Sequence, residues 1–114
     1  MKIIFLIERD FTSTDCLRYG FDELLSLSVD IQIWDLSMLN NVNPAVVPES
    51  YMPFVKEIQT VESIQIFNAC NVYFVDALSS SKHYKLLEII SNNGGSIIRL
   101  QYSFHLDAWT PSLI

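Results

Sequence analysis

The stretch Lys2-Ile3-Ile4-Phe5-Leu6-Ile7 decides the fold. Five apolar side chains in succession leave an extended segment no polar face. A strand of that kind is covered on both sides, as the central strands of parallel sheets are. The run is too short for a secretory signal, whose apolar region takes about seven to fifteen residues, and it stops at Glu8-Arg9-Asp10. No other stretch approaches the roughly 18 apolar residues of a membrane span. The expectation is a cytoplasmic domain without a transmembrane segment.

Working outward, Leu17, Phe21, Leu24, Leu25 and Ser28 recur at helical spacing behind a polar stretch, with Ser13, Thr14 or Asp15 as N-cap. Gly20 falls inside that helix at a cost of about 1 kcal/mol against Ala, which implies close packing of helix on sheet. Residues 29–36 alternate and read as a strand more exposed on one face. Residues 37–53 hold Pro44, Pro48 and Pro53 with Asn40, Asn41 and Asn43, and read as a long loop. Loops beyond about 12–15 residues in a compact domain are usually functional or mobile.

A short edge strand over 55–59 and a helix over 61–70, capped by Thr60, is the preferred reading of the next stretch; a single helix starting at Phe54 is the alternative. Residues 71–76 read as a buried strand, Ser79, Ser80 and Ser81 as a cap cluster, and 81–92 as a helix. Asn93-Gly94-Gly95 is a helix stop, and 96–101 the last strand. Strands alternating with helices imply right-handed crossovers. The fold class is α/β, a three-layer sandwich with a mostly parallel, Rossmann/flavodoxin-like sheet of 4–5 strands, in a single domain over residues 1–114.

Composition narrows the function. The 114 residues are half apolar, enough for a real core. Seven basic against 13 acidic residues give a net charge of −6 and no Lys/Arg cluster, which argues against nucleic acid as a partner. With three glycines, Gly20, Gly94 and Gly95, neither a GxGxxG fingerprint nor a phosphate-binding P-loop can be written. Cys16 and Cys70 stand far apart and only His83 and His105 accompany them, so no zinc site is spelled and the thiols read as reduced. No cofactor is implied.

Open α/β sheets bind ligands beyond the carboxyl ends of their strands, where strand order reverses. With the first strand central, residues 8–15 and 76–81 line that crevice. The candidate ligand-binding residues are Arg9, Asp10, Thr12, Ser13, Thr14, Asp76, Ser79 and Ser80, with Ser81 beside them. Helix N-caps require the same hydroxyl residues, so capping alone is the plain alternative. Glu8, Asp10, Asp15 and Asp76 oppose an anionic ligand, with Arg9 and Arg18 as the local compensation. A hydroxyl-rich, weakly charged ligand is the better match. Asp10 with Asp76 as an acid/base or Mg²⁺ pair, and His105 with Asp107 as an oriented imidazole, are weaker constellations. Trp34, Tyr102, Phe104 and Trp109 read as core or interface.

Residues 1–37 resemble the start of a family of bacterial polysaccharide-biosynthesis proteins related to GT-B glycosyltransferases. The likeness is carried by the opening strand, Phe11-Thr12, Asp15-Cys16-Leu17-Arg18-Tyr19-Gly20-Phe21-Asp22, and Ile33-Trp34-Asp35-Leu36-Ser37. It covers about a third of the chain. It implies the amino-terminal, acceptor-side Rossmann-like domain of a longer protein, facing a sugar or glycolipid acceptor. A C-terminal nucleotide-sugar-binding domain would complete the enzyme, so this domain alone would not be catalytic, and the resemblance assigns no catalytic residue. Residues 104–114 are apolar and read as surface awaiting that domain or a second copy in a homodimer. A stand-alone flavodoxin-like ligand-binding or regulatory module, or a purely structural interaction domain, are the other readings.

Overall fold

The computed structural model describes residues 1–61, 64, 71–78, 83–102 and 109–113. Strand β1 (Lys2–Ile7) lies mid-sheet, parallel to its neighbours on both sides. β2 (Asp30–Asp35) pairs with it from Lys2↔Asp30 to Ile7↔Asp35, and β4 (Val72–Asp76) from Lys2↔Val72 to Leu6↔Asp76. Outside β2 runs the short parallel β3 (Val55–Glu57), and outside β4 the parallel β5 (Ser96–Tyr102). The sheet order is β3-β2-β1-β4-β5, with β6 (Trp109–Leu113) outside β5.

The period of two along β1 splits the core. Phe5 and Ile7 face one layer, with Phe11, Phe21, Ile31, Ile33 and Val75. Ile4 and Leu6 face the other, with Trp34, Leu36, Phe74, Leu86, Ile90 and Ile97. Helices α1 (Ser13–Arg18) and α2 (Phe21–Ser26) cover the first face and α3 (Tyr84–Asn92) the second. The three-layer Rossmann/flavodoxin-like sandwich follows from a strand that is apolar on both faces. No helix among the described residues is long and apolar enough to cross a membrane.

The expected mostly parallel sheet forms with five parallel strands, and β6 adds an antiparallel edge to β5, so the backbone of much of the apolar tail is a sheet edge. Pro111 is tolerated there because an edge strand leaves one side of its backbone without a ladder. Four expectations need correction. The first helix is two helices, broken where Gly20 takes φ +67° and precedes α2 as its N-cap. The cap of α1 is Thr12, one residue ahead of the predicted candidates. β2 is exposed at Asp30 and half-buried at Gln32, then buried from Ile33 to Asp35, since β1 and β3 flank it and both helical layers reach its carboxyl end. Finally, the proline-rich loop contains two 3-10 turns, Ser37–Asn40 and Glu49–Phe54, the second with Pro53 inside it.

The predicted edge strand forms, over Val55–Glu57. The helix expected over 61–70 and the start of that expected over 81–92 fall largely outside the described residues, as do Cys70, Phe104, His105 and Asp107.

Candidate functional site

The strand order reverses between β1 and β4, and a cleft of about 240 Å³ opens there beyond their carboxyl ends. Arg9, Asp10, Asp15, Arg18, Asp76 and Arg99 supply its charged lining, and Phe11 and Tyr19 an aromatic wall. Three arginines face three aspartates, and their pairing defines what the cleft offers.

Asp76 ends β4. Its Oδ2 accepts from Nη2 of Arg99 at 2.7 Å and from Nε at 3.1 Å, and its Oδ1 accepts from the backbone N–H of Leu78 at 2.9 Å. The register pairs Asp76 with Arg99 across β4 and β5, so the contact is built into the sheet. Asp76 is 3% exposed and Arg99 51%, which leaves the far side of the guanidinium toward solvent. Both oxygens of Asp76 are thus engaged by protein groups. Among the described residues no three His, Cys, Asp or Glu side chains gather as a metal site.

Asp15 and Thr12 form a capping box. Thr12 donates its N–H and its hydroxyl to Asp15 Oδ2, at 2.9 and 3.0 Å, and Thr12 Oγ1 accepts from Asp15 N–H at 3.2 Å. Arg18 Nη1 stands 3.5 Å from Asp15 Oδ1. Asp10 accepts from the N–H of Val46 at 2.8 Å, which ties the long loop to the cleft's rim. Arg9 is exposed there and has no ion-pair partner among the described residues.

Of the predicted ligand-binding residues, Arg9, Asp10 and Asp76 meet in the cleft. Thr12 is occupied in capping α1 and Thr14 is exposed on that helix. Ser13 lines a separate depression with Cys16, Asp22 and Tyr51. Cys16 is no nucleophile in waiting: burial first, then the nearby Asp15 and Asp22, pushes its thiol up and keeps it protonated. Ser79, Ser80 and Ser81 lie outside the described residues.

Sequence reasoning missed Arg99, which only the β4–β5 register brings to Asp76. It also missed a buried cluster on the opposite face of β1. Glu8 Oε2 and His83 Nε2 lie 2.9 Å apart, with the Asn40 amide 3.4 Å from the same ring nitrogen. Extending the period of two past Leu6 puts Glu8 on the α3 face, where a buried carboxylate needs a partner. That signal was present in the sequence.

Comparison with protein-family models, with curated proteins and with solved structures finds no match for this chain.

Proposed function

We propose that the chain is a sugar-binding Rossmann-like domain. In this reading it forms the acceptor-side, amino-terminal part of a glycosyltransferase of bacterial polysaccharide biosynthesis, and a second domain would bring the nucleotide-sugar. The observation that carries the reading is the cleft at the β1/β4 switch point, rimmed by Arg9, Asp10, Arg18 and the Asp76–Arg99 pair. Fixed carboxylate and guanidinium groups side by side offer acceptors and donors at close range, which suits a ring of hydroxyls.

Size supports the acceptor side. A volume of about 240 Å³ falls below the roughly 300–1,000 Å³ usual for clefts that enclose larger ligands. One monosaccharide ring matches it better than a nucleotide-sugar. The strand order also favours this reading over a flavin module, because β3 lies outside β2 as in the Rossmann order, whereas flavodoxin-like sheets place their third strand beside the first. The hydroxyl of Thr12, which a flavin phosphate would need, is held by Asp15.

The test is a titration of the chain with methyl glycosides, nucleotide-sugars and FMN, followed by amide chemical shifts. The expected result is saturable shifts around Arg9, Asp10 and Arg99 with a methyl glycoside. A Kd on the order of 1–10 mM, about −4 kcal/mol or weaker, is expected of one sugar ring. The shifts should vanish in Arg9→Gln. Tight binding of FMN, or of a nucleotide-sugar without its second domain, would overturn the reading.

A further inference from the structure

The even charge count of the cleft conceals an asymmetry between its carboxylates and its guanidinium groups. Asp76 has both oxygens occupied, by Arg99 and by the Leu78 N–H. Asp15 is taken up by Thr12 and Arg18. Asp10 gives one oxygen to the Val46 N–H and keeps the other without a partner among the described residues. Two of the three arginines, in contrast, keep donors for a ligand.

Arg99 is the decisive one. A guanidinium has two edges that each present a pair of N–H groups, the side edge of Nε and Nη2 and the end edge of Nη1 and Nη2. Asp76 Oδ2 takes the side edge, at 3.1 and 2.7 Å. The end edge has no partner among the described residues, and the side chain is 51% exposed where it lines the cleft. The carboxylate that anchors it is 3% exposed, so the guanidinium is held in place before a ligand arrives and little ordering remains to be done. Arg9, exposed at the same rim and without an ion-pair partner among the described residues, adds a second positive charge.

We propose that the sugar bound in the cleft is an acidic one, a uronic acid whose carboxylate sits on the end edge of Arg99 beside Arg9. A ring hydroxyl then donates to the remaining oxygen of Asp10. The proposal rests on the sugar reading of the cleft and adds the charge of the sugar. A planar carboxylate matches the planar guanidinium edge, and it adds only one oxygen to a hexose ring in a space of about 240 Å³. A phosphorylated sugar fits less well. It is bulkier, and its second negative charge meets a lining in which three arginines stand against three aspartates.

The experiment follows amide shifts of the chain at pH 7 with methyl β-D-glucuronide, methyl β-D-glucoside, the neutral methyl β-D-glucuronamide, and acetate. The glucuronide is expected to bind about tenfold tighter than the glucoside and the amide, as charge-assisted hydrogen bonds would give. That preference should shrink as sodium chloride rises from about 0.02 to 0.5 M. In Arg99→Lys the ammonium is a point charge spent on Asp76, so the ratio of glucuronide to glucoside affinity should fall to about threefold or less. A urea midpoint checks that this variant folds; were it to unfold, the amide comparison on the intact chain decides. Equal binding of glucuronide, glucoside and amide would overturn the proposal and leave the sugar reading standing. So would a ratio that Arg99→Lys does not change. Acetate binding as tightly as the glucuronide would also overturn it, since the site would then read a bare anion. Binding of none of the glycosides would overturn both.

Discussion

Glu8 and His83 stand 75 positions apart in sequence and 2.9 Å apart in the fold, with side chains 7% and 4% exposed. The pair joins the turn after β1 to the residue that precedes α3, inside the layer where water cannot replace either partner. A buried hydrogen-bonded pair adds little over apolar residues of the same size, but removing one member leaves the polar atoms of the other less well satisfied. We expect His83→Leu to cost about 3 kcal/mol at pH 7, because Glu8 loses its imidazole partner. Glu8→Leu should cost less, since the Asn40 amide still stands 3.4 Å from the imidazole nitrogen. The double variant should be no less stable than His83→Leu alone, and urea midpoints of the four proteins would measure that coupling.

Gly20 is required by its backbone and not by its surroundings. Its φ of +67° is in the left-handed region, and a Cβ built there would meet only Glu23 Oε2 at an ordinary 3.5 Å. Gly20→Ala should destabilise by about 1 kcal/mol, the usual penalty of that conformation for an L-residue. Gly20→Asn should cost less, because Asn tolerates left-handed geometry. Close packing would give the opposite ranking, with the larger side chain worse.

Gly95 makes the contrasting case. A Cβ there would lie 2.6 Å from Ile90 Cγ2, 3.0 Å from Phe74 Cε1 and 3.1 Å from the Ile90 carbonyl oxygen. Both side chains belong to the core between α3 and the sheet, so neither has room to retreat. Gly95→Ala is expected to cost about 1–3 kcal/mol by overpacking. Trimming the neighbour in Gly95→Ala/Ile90→Val should recover part of that loss, read as a rise in thermal midpoint.

What the sequence revealed depended on how local the governing physics was. The hexapeptide 2–7 is apolar on both faces, so its place mid-sheet and the order of its neighbours could be read directly. The break at Gly20 could not, because a helical spacing of Leu17, Phe21 and Leu24 looks the same whether the helix continues or restarts. β6 was hidden for a different reason: residues 109–113 carry Pro111, and only the presence of an open edge on β5 makes such a segment a strand. In the site, Arg9, Asp10 and Asp76 were legible as strand-end residues. Arg99 required the register between two strands 20 residues apart. The count of acidic residues around the crevice misled, because it could not show that Asp15 and Asp76 are consumed by Thr12, Arg18, Leu78 and Arg99.

Tyr51 offers a pH signature for the loop. Its hydroxyl donates to Asp22 Oδ1 at 2.5 Å, and chiefly that bond, then burial and the Asp22 charge, push its pKa up to about 12. The folded state thus holds this proton above the ordinary tyrosine value near 10. The contribution to stability is fully present below about pH 10 and is lost as pH rises toward 12. In an absorbance titration the Tyr51 transition should come late, and Asp22→Asn should shift it down toward the ordinary tyrosine range.

Asp35 connects the fold's stability to the shape of the site. It ends β2 at 1% exposure, and its Oδ1 accepts from the N–H of Ser37 at 3.0 Å and from the Ser37 hydroxyl. Its Oδ2 accepts from the N–H of Ala45 at 2.7 Å, one residue before Val46 bonds to Asp10 and Phe11. A single carboxylate thereby ties Ser37, at the start of the long loop, to Ala45, the residue before Val46. Asparagine keeps the shape but turns one acceptor into an NH₂ that meets an N–H head on. We expect Asp35→Asn to cost about 1–3 kcal/mol, the usual penalty of an unsatisfied buried donor, and to raise amide exchange at residues 45–47 ahead of the sheet. If residues 45–47 are held by Asp10 and Phe11 alone, exchange there would stay at the wild-type rate while overall stability fell.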